Sequence, residues 1–288
     1  MKIFPSKRGV KIQDSFFIEE EDIYSDLQGD KGSCLFLGKY SLSEVQAVLK
    51  KRSFFKDAQK RGLWPLVFHL DTSEFPIHRL CIFYKEKKEK NLVVDLKIRE
   101  ASLQLKEKLP SGVSLPKLDF LLLEWLTLQN PLLEFSDDES PLPGQKHPGL
   151  NLGKKVLDLF VYLARICRMD GLMAFPAYFH NAILFSRHFY FMNPKKQGEV
   201  LGIRKTFRRV PFKQLAWMVY WDCLREKSIG TYEWRAEEQV YPLNRELVSY
   251  LESKQYKKTA RKTREKMAFT VDWECYENKH GSEAQEQC

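Results

Sequence analysis

The segment with the clearest chemical potential is PGLNLG, residues 148–153, which directly precedes a helix-like pattern. Its glycines and Asn151 allow the sharp turns that most residues resist. The first amides of a helix lack intrahelical acceptors, and the helix dipole favours anions at that end. The segment therefore predicts a phosphate-binding loop, with an ordinary turn before a helix as the alternative.

A single carboxylate interrupts the most apolar stretch of the chain, LDFLLLEWLTL, residues 118–128. Burial among Leu and Trp disfavours the charged form of Glu124, and such a group suits proton transfer. The structural alternative, which we favour, is a Glu paired with an Arg or bonded to the next strand. Asp95 and Asp119 are weaker candidates, at positions that we expect to be exposed.

Three polar residues begin a later helix-like segment. Tyr178 and His180 can each donate a proton, although an ordinary surface or half-buried ring is the commoner role. Asn181 fits either ligand binding or helix capping. His147, beside the loop, either contacts phosphate or is simply exposed.

The six cysteines are scattered and form no CxxC pair. We therefore expect reduced thiols and no metal site, because zinc sites need closely spaced ligands. Cys167 lies in an apolar helix pattern and is expected to pack as a small hydrophobe. Trp217 and Trp221, one helical turn apart, are expected to pack in the core.

The net charge of +9 is concentrated in two segments. Residues 254–266 contain seven Lys or Arg and one Glu, and residues 195–209 contain six and one. The rest of the chain is close to neutral. Such segments fit phosphates of nucleic acid, although a solvated helix face is the simpler interpretation.

The elements that must position these residues mix strands and helices. A capping box at Ser41–Glu44 predicts a helix over 42–61, ended by Gly62. Apolar patterns predict strands and helices in a mixed α/β (α+β) order around a central twisted sheet. The predicted strands are 66–72, 78–84, 92–100, 118–128, 171–176 and 188–192, and the later predicted helices are 150–168, 177–188, one opening at 210–211, and 244–267.

The chain has no apolar run long enough to cross a membrane and no signal-like start, which predicts a cytoplasmic protein with no membrane partner.

The order of strand 118–128, loop, helix, strand and helix resembles the GNAT superfamily of acyl-CoA N-acyltransferases. On the family signature R-x-x-G-x-G, Pro148 stands at the Arg, Asn151 at the first Gly and Gly153 at the last. On the later family pattern A-x-x-L-Y, Phe185 stands where the family has the Tyr that protonates the departing CoA thiolate.

The resemblance implies a GNAT-like core over 63–225. Residues 1–62 would then be an N-terminal extension with the capped helix, 226–275 a C-terminal extension with the basic helix, and 276–288 a disordered tail. The strand 118–128 and the strand 171–175 would separate in a V-shaped gap that holds the thioester.

The implied function is transfer of an acyl group from acetyl-CoA, or another acyl-CoA, to a small-molecule or protein amine, without a metal. The implied catalytic residues are Glu124 as base and Tyr178 or His180 as acid. An inactive GNAT-fold binding or scaffold protein is the alternative, and a nucleic-acid-binding protein is a third. The implied cofactor-binding residues are Trp125, Leu126, Leu128, Gly149, Leu150, Asn151, Leu152, Gly153, Lys154 and Asn181.

Overall fold

The computed structural model describes residues 35–104, 116–136 and 140–286, with side chains to residue 281. The segment FFIEEEDIY, residues 16–24, has the pattern of a short strand, and it lies outside these ranges, as do the acidic residues 137–139.

Ten strands form two sheets in the described ranges. A seven-stranded sheet has the order β1-β2-β3-β4-β5-β9-β6, and only β4 and β5 are parallel neighbours. A small antiparallel sheet has the order β10-β7-β8. The strands are β1 (Leu66–Asp71), β2 (His78–Tyr84), β3 (Leu92–Leu103), β4 (Leu118–Leu128), β5 (Gly171–Ala174), β6 (Tyr190–Phe191), β7 (Leu224–Glu226), β8 (Gly230–Thr231), β9 (Gln239–Pro242) and β10 (Phe269–Val271).

Nine α-helices in the same ranges cover the sheets, so the predicted mixed α/β class is confirmed. The helices are α1 (Leu42–Lys51), α2 (Phe54–Gln59), α3 (Gly153–Ile166), α4 (Phe179–Phe185), α5 (Pro194–Thr206), α6 (Phe212–Tyr220), α7 (Arg245–Glu252), α8 (Lys254–Lys266) and α9 (Trp273–Glu286).

Strand β4 is the centre of the fold, as its two-sided apolar pattern predicts. Leu121 and Leu123 pack into one apolar cluster with α3, while Phe120 and Leu122 pack into another with α7. Alternate side chains of one strand therefore bury two different layers of helices.

Two predicted helices are each divided by a serine. The capping box at Ser41 and Glu44 forms as expected, but Ser53 has a φ of 63° and separates α1 from α2. Ser253 ends α7 with extended backbone, and its hydroxyl accepts the amide of Tyr256 at 3.1 Å to begin α8. A serine that caps a new helix interrupts an apolar pattern that would otherwise read as continuous.

Helix α5 was not predicted, because its glycines and charges hide the helical pattern. A Cβ at Gly198 would lie 2.3 Å from the carbonyl oxygen of Ala260, and Gly202 lies close to the backbone of Arg264. The two basic segments thus form one tightly packed helix pair, α5 with α8.

Two boundaries differ from the implied domains. Strand β9 lies between β5 and β6, so the main sheet extends past residue 225. The chain end, expected to be frayed from residue 276, carries α9 as far as Glu286. In the parts of the chain that the structure covers, no helix is long and apolar enough to cross a bilayer.

Candidate functional site

Strands β4 and β5 separate halfway along β4. They pair only from Phe120 opposite Gly171 to Leu123 opposite Ala174. Beyond this point β4 continues to Leu128, whereas the chain after β5 leaves through Phe175 and Pro176. Among the described residues, no strand lies beside the β5-side edge of 124–128. The resemblance implies a gap between these same two strands.

A β-bulge lies where the gap begins. Across β3, Leu123 stands opposite Ile98 and Trp125 opposite Lys97, which leaves Glu124 as the extra residue. The bulge breaks the strict alternation, so Glu124 and Trp125 are both exposed. The expected burial of Glu124 is therefore wrong, whereas the expected pairing with an Arg is present, since its Oε1 accepts Arg99 Nε at 2.6 Å.

The gap opens into a cleft of about 190 Å³. One wall is residues 124–128, the half of β4 that does not pair with β5 and is called the free half below. The opposite wall is the start of α4 together with residues 174–178. Seven of the residues proposed from sequence line this single cleft: Glu124, Trp125, Leu126, Leu128, Tyr178, His180 and Asn181.

A further wall, residues 142–147, comes from the long proline-rich loop 130–148, which the resemblance places beside the acyl site as a lid or a block. Trp217 Nε1 donates to the carbonyl of Pro141 at 2.9 Å and holds this loop against α6. His147 is half-buried, with Nδ1 3.1 Å from the carbonyl oxygen of Leu133. The proline-rich loop therefore borders the cleft and leaves it open.

The predicted phosphate loop lies beside one end of the cleft rather than in its lining. Gly149 forms a β-bridge with Gln129, a lining residue at the end of the free half. Asn151 has the left-handed conformation expected for it, with a φ of 54°. Leu150 and Leu152 are buried, so their side chains are not available to a ligand.

Helix α3 begins without a side-chain cap. Leu152 occupies the cap position, and the first amide that bonds back is that of Val156, to the Leu152 carbonyl at 2.9 Å. The preceding amides are the unpaired donors typical of a helix start. A Cβ at Gly153 would meet no atom within 4 Å, and Lys154 is exposed, whereas Lys155 pairs with Asp57.

Tyr178 and His180 stack with ring centroids 5.2 Å apart. Burial lowers the pKa of His180 to about 4, so the ring is neutral near pH 7 and suits a proton acceptor better than an acid. The hydroxyl of Tyr178 lies against Gly144, where a Cβ would approach it to 2.8 Å. Of the two candidate acids, the geometry favours Tyr178.

Asn181 is free to contact a ligand. The cap of α4 is Tyr178, so the capping interpretation of Asn181 is wrong. Among the described residues its side-chain amide has no hydrogen-bond partner. Phe185 lines the cleft beside it, while Phe189 is buried in the core, and neither side chain closes the gap.

The other candidates have structural roles. Asp95 was expected to be exposed but is buried, and it accepts two bonds from Arg79 at 2.8 and 3.0 Å. Asp119 is exposed as expected and accepts Ser102 Oγ at 2.6 Å. Cys167 is half-buried near the Tyr40 hydroxyl, 3.8 Å away. No group of three His, Cys, Asp or Glu side chains within the described ranges is arranged to bind a metal.

Comparison of this chain with protein-family models, with curated proteins and with solved structures finds no match. The sheet, the gap and the cleft therefore carry the functional argument.

Proposed function

We propose that the protein is an acyl-CoA-dependent N-acyltransferase with a GNAT-like core. The observation that carries the proposal is the cleft at which β4 leaves β5, because it combines an unpaired backbone edge with three candidate catalytic residues and lies beside the start of α3. An acyl-CoA has matching parts, namely a pantetheine amide chain, a pyrophosphate and a thioester.

The pyrophosphate is assigned to the backbone of residues 149–153 and the first turn of α3, where unpaired amides and the dipole favour an anion. Lys154 adds an exposed positive charge. The pantetheine chain would extend along the free half of β4, past Trp125, Leu126 and Leu128, with its amides bonded to strand backbone and to the Asn181 side chain.

The reaction places the thioester carbonyl near Glu124 and Tyr178. The acceptor nitrogen attacks the carbonyl carbon, the carbon–sulfur bond breaks, and the thiolate leaves with its electron pair. Glu124, directly or through water, takes the proton lost by the amine, and Tyr178 gives a proton to the thiolate and regains one from solvent. Positioning supplies a large part of such a rate enhancement, so a weak acid slows the reaction without abolishing it.

Titration calorimetry with acetyl-CoA tests the binding step. We expect a dissociation constant within the range of about 1 µM to 1 mM that enzymes show for their substrates. Folded protein that gives no heat at about 1 mM acetyl-CoA would remove the basis of the proposal.

Thiol release with an amine panel tests the chemistry. Glu124→Gln should lower kcat by about 100-fold, as expected for loss of a general base. Glu134→Gln, the same change at an exposed loop residue outside the cleft lining, should leave kcat unchanged. Equal kcat values for the two variants would contradict the role of Glu124.

A binding or scaffold protein with the same fold is the second candidate. Pro148 and Phe185 favour it, because neither supplies the charge or the proton that the family residues at those positions supply. Protein that binds acetyl-CoA but acylates no amine in the panel would support this candidate over the enzyme.

Nucleic-acid binding is supported by one structural feature, the packing of α5 against α8. The helix pair carries these exposed cations of both basic segments: Lys195, Arg204, Lys205, Lys254, Lys257, Lys258, Arg261, Lys262 and Lys266. Binding to duplex DNA that weakens steeply between about 50 and 200 mM salt would support it, because each neutralised phosphate releases a counterion.

A further inference from the structure

A second cleft of about 140 Å³ lies beside the first, and the two share the rings of Tyr178 and His180. Its other walls include Tyr220 from α6, Trp234 and Asp222. A ligand group in the second cleft would therefore lie next to Tyr178, to which the proposed function assigns proton transfer.

Asp222, one of the residues that line the second cleft, carries a carboxylate without an ion-pair partner in the described ranges. Asp222 follows α6 with a φ of 56°, and its carbonyl accepts Arg225 Nη1 at 2.8 Å. The guanidinium of Arg225 is paired with Asp272 instead, at 2.8 Å. The half-buried carboxylate of Asp222 is thus left to attract a positive charge.

Aromatic rings surround the same space. The Tyr178 and Tyr220 centroids are 5.9 Å apart, and Trp234 is fixed by its Nε1 bond to the Pro176 carbonyl at 3.0 Å. The Lys196 ammonium already lies 4.3 Å from the Trp234 ring centre, with its charge balanced by Glu199 at 2.6 Å. Aromatic faces beside a carboxylate favour an organic cation over a neutral or anionic group.

We infer that the second cleft binds the positively charged end of the acyl acceptor, which is then an amine with a second cationic group several carbons away. This inference rests on the proposed function. The cationic end would be held by Asp222 and the rings, and the nucleophilic nitrogen would reach the first cleft past Tyr178.

Titration calorimetry of 1,4-diaminobutane binding to the full chain tests the site without catalysis. Asp222→Asn should weaken binding about tenfold, the loss typical of a bond to a charged group. Asn tolerates the left-handed conformation, so the turn after α6 is kept. Asp158→Asn, the same change on the exposed side of α3, should bind like the unchanged protein.

Turnover with acetyl-CoA separates this inference from the proposed function. Diaminobutane should have a kcat/KM about tenfold above that of 1-aminobutane, and Asp222→Asn should remove the difference. Equal values for both amines, with active enzyme, overturn the cation site alone. Binding that depends on Asp222 in a protein that does not bind acetyl-CoA overturns the transferase and keeps the site. No binding of diaminobutane at millimolar concentration overturns the inference.

A separate observation concerns two thiols near the chain end. The sulfur atoms of Cys223 and Cys275 are 2.7 Å apart, and they join the start of β7 to α9. Cys223 is fully buried, whereas Cys275 is partly exposed, and Lys279 binds the adjacent Trp221 carbonyl at 2.7 Å. Because Cys275 is the more exposed of the two, a small disulfide reaches it first, and burial raises the pKa of Cys223 to about 12.

The geometry points to a disulfide between Cys223 and Cys275 that forms by exchange with a small disulfide such as oxidised glutathione. The Cys275 thiolate attacks one glutathione sulfur and releases one glutathione thiolate. Cys223 then loses its proton, attacks the Cys275 sulfur and releases the second glutathione. Two protein thiols are oxidised by two electrons, and one glutathione disulfide becomes two thiols.

Thiol titration of the denatured full chain after oxidation tests this pair. Six thiols should fall to four, with a cross-linked peptide containing Cys223 and Cys275, and the thermal midpoint should rise by about 5 °C or more. Cys275→Ser should prevent the loss, and Cys167→Ser should allow it. Retention of all six thiols, or a cross-link between other cysteines, overturns the assignment.

Discussion

The two halves of β4 have the same kind of sequence but different neighbours. From Phe120 to Leu123 the strand lies between β3 and β5 and is buried. From Glu124 to Leu128 it keeps β3, but in the described part of the chain no strand lies on its other side, because β5 is only four residues long. Because β5 ends at Ala174, the second half of β4 has an unpaired edge that a ligand can contact. The bulge at Glu124 lies where the pairing ends.

The largest expected effect separates the halves by stability. Phe120→Ala in the paired half should cost about 3–5 kcal/mol, because the fully buried ring leaves a cavity next to Gly171. Trp125→Ala in the free half should cost less than about 1 kcal/mol, since that side chain is 46% exposed. Urea unfolding of both variants measures the difference, and equal losses would contradict the division of β4.

A pH effect should come from the wall that faces the free half. The pKa of His180 is lowered by burial from 6.5 to about 4, so between these values the unfolded chain binds a proton that the folded chain does not. Stability should therefore fall as pH decreases from 6.5 to 4, by up to about 3 kcal/mol.

His180→Gln should remove that part of the pH dependence of the free energy of unfolding, while His147→Gln should keep it. The same slope in the His180 variant and in the unchanged protein would show that His180 is not buried in its neutral form.

A smaller effect should separate two glycines, one in the cleft wall and one in a turn away from it. Gly144 and Gly230 have φ values of 78° and 80°, so alanine at either position should cost about 1 kcal/mol. At Gly144 the new Cβ also meets the Tyr178 hydroxyl, whereas at Gly230 it meets nothing within 4 Å. Only Gly144→Ala should weaken acetyl-CoA binding, by calorimetry. Equal affinity in both variants would place the ligand away from Tyr178.

The smallest effect concerns the ion pair at the boundary between the halves. Arg99→Met should lower stability by at most about 1 kcal/mol, because both partners of the Arg99–Glu124 pair are about one-third exposed. A loss above about 2 kcal/mol by urea unfolding would mean that the pair holds the bulge in place.

The paired half of β4 was predictable from sequence, whereas the bulge that begins the cleft was not. Two-sided apolar residues identify β4, and the Ser41–Glu44 pattern identifies the start of α1. The bulge depends on how β3 and β4 align, which no local pattern encodes, so Glu124 was expected to be buried. Strand β9 is four residues long and pairs with segments far along the chain, which explains why it was missed.

The sequence predicted many of the residues that line the candidate site, but not how the walls around them are arranged. Residues on β4 and α4 meet because both elements border one gap, which follows from their order along the chain. The side chains of Leu150 and Leu152 pack in the core, so they are not available to a ligand. The wall at 142–147 depends on the bond from Trp217 to Pro141, a contact between residues 76 positions apart.

The bond from Trp217 to Pro141 holds the outer wall of the cleft independently of the main sheet. Residues 142–147 belong to no strand, and the indole of Trp217 anchors them from outside the main sheet. Grafts of shorter or longer loops between Pro141 and Pro148 would resize the opening while every strand pairing is preserved. Related chains could therefore accept ligands of different size by changing the length of this loop, with little loss of stability.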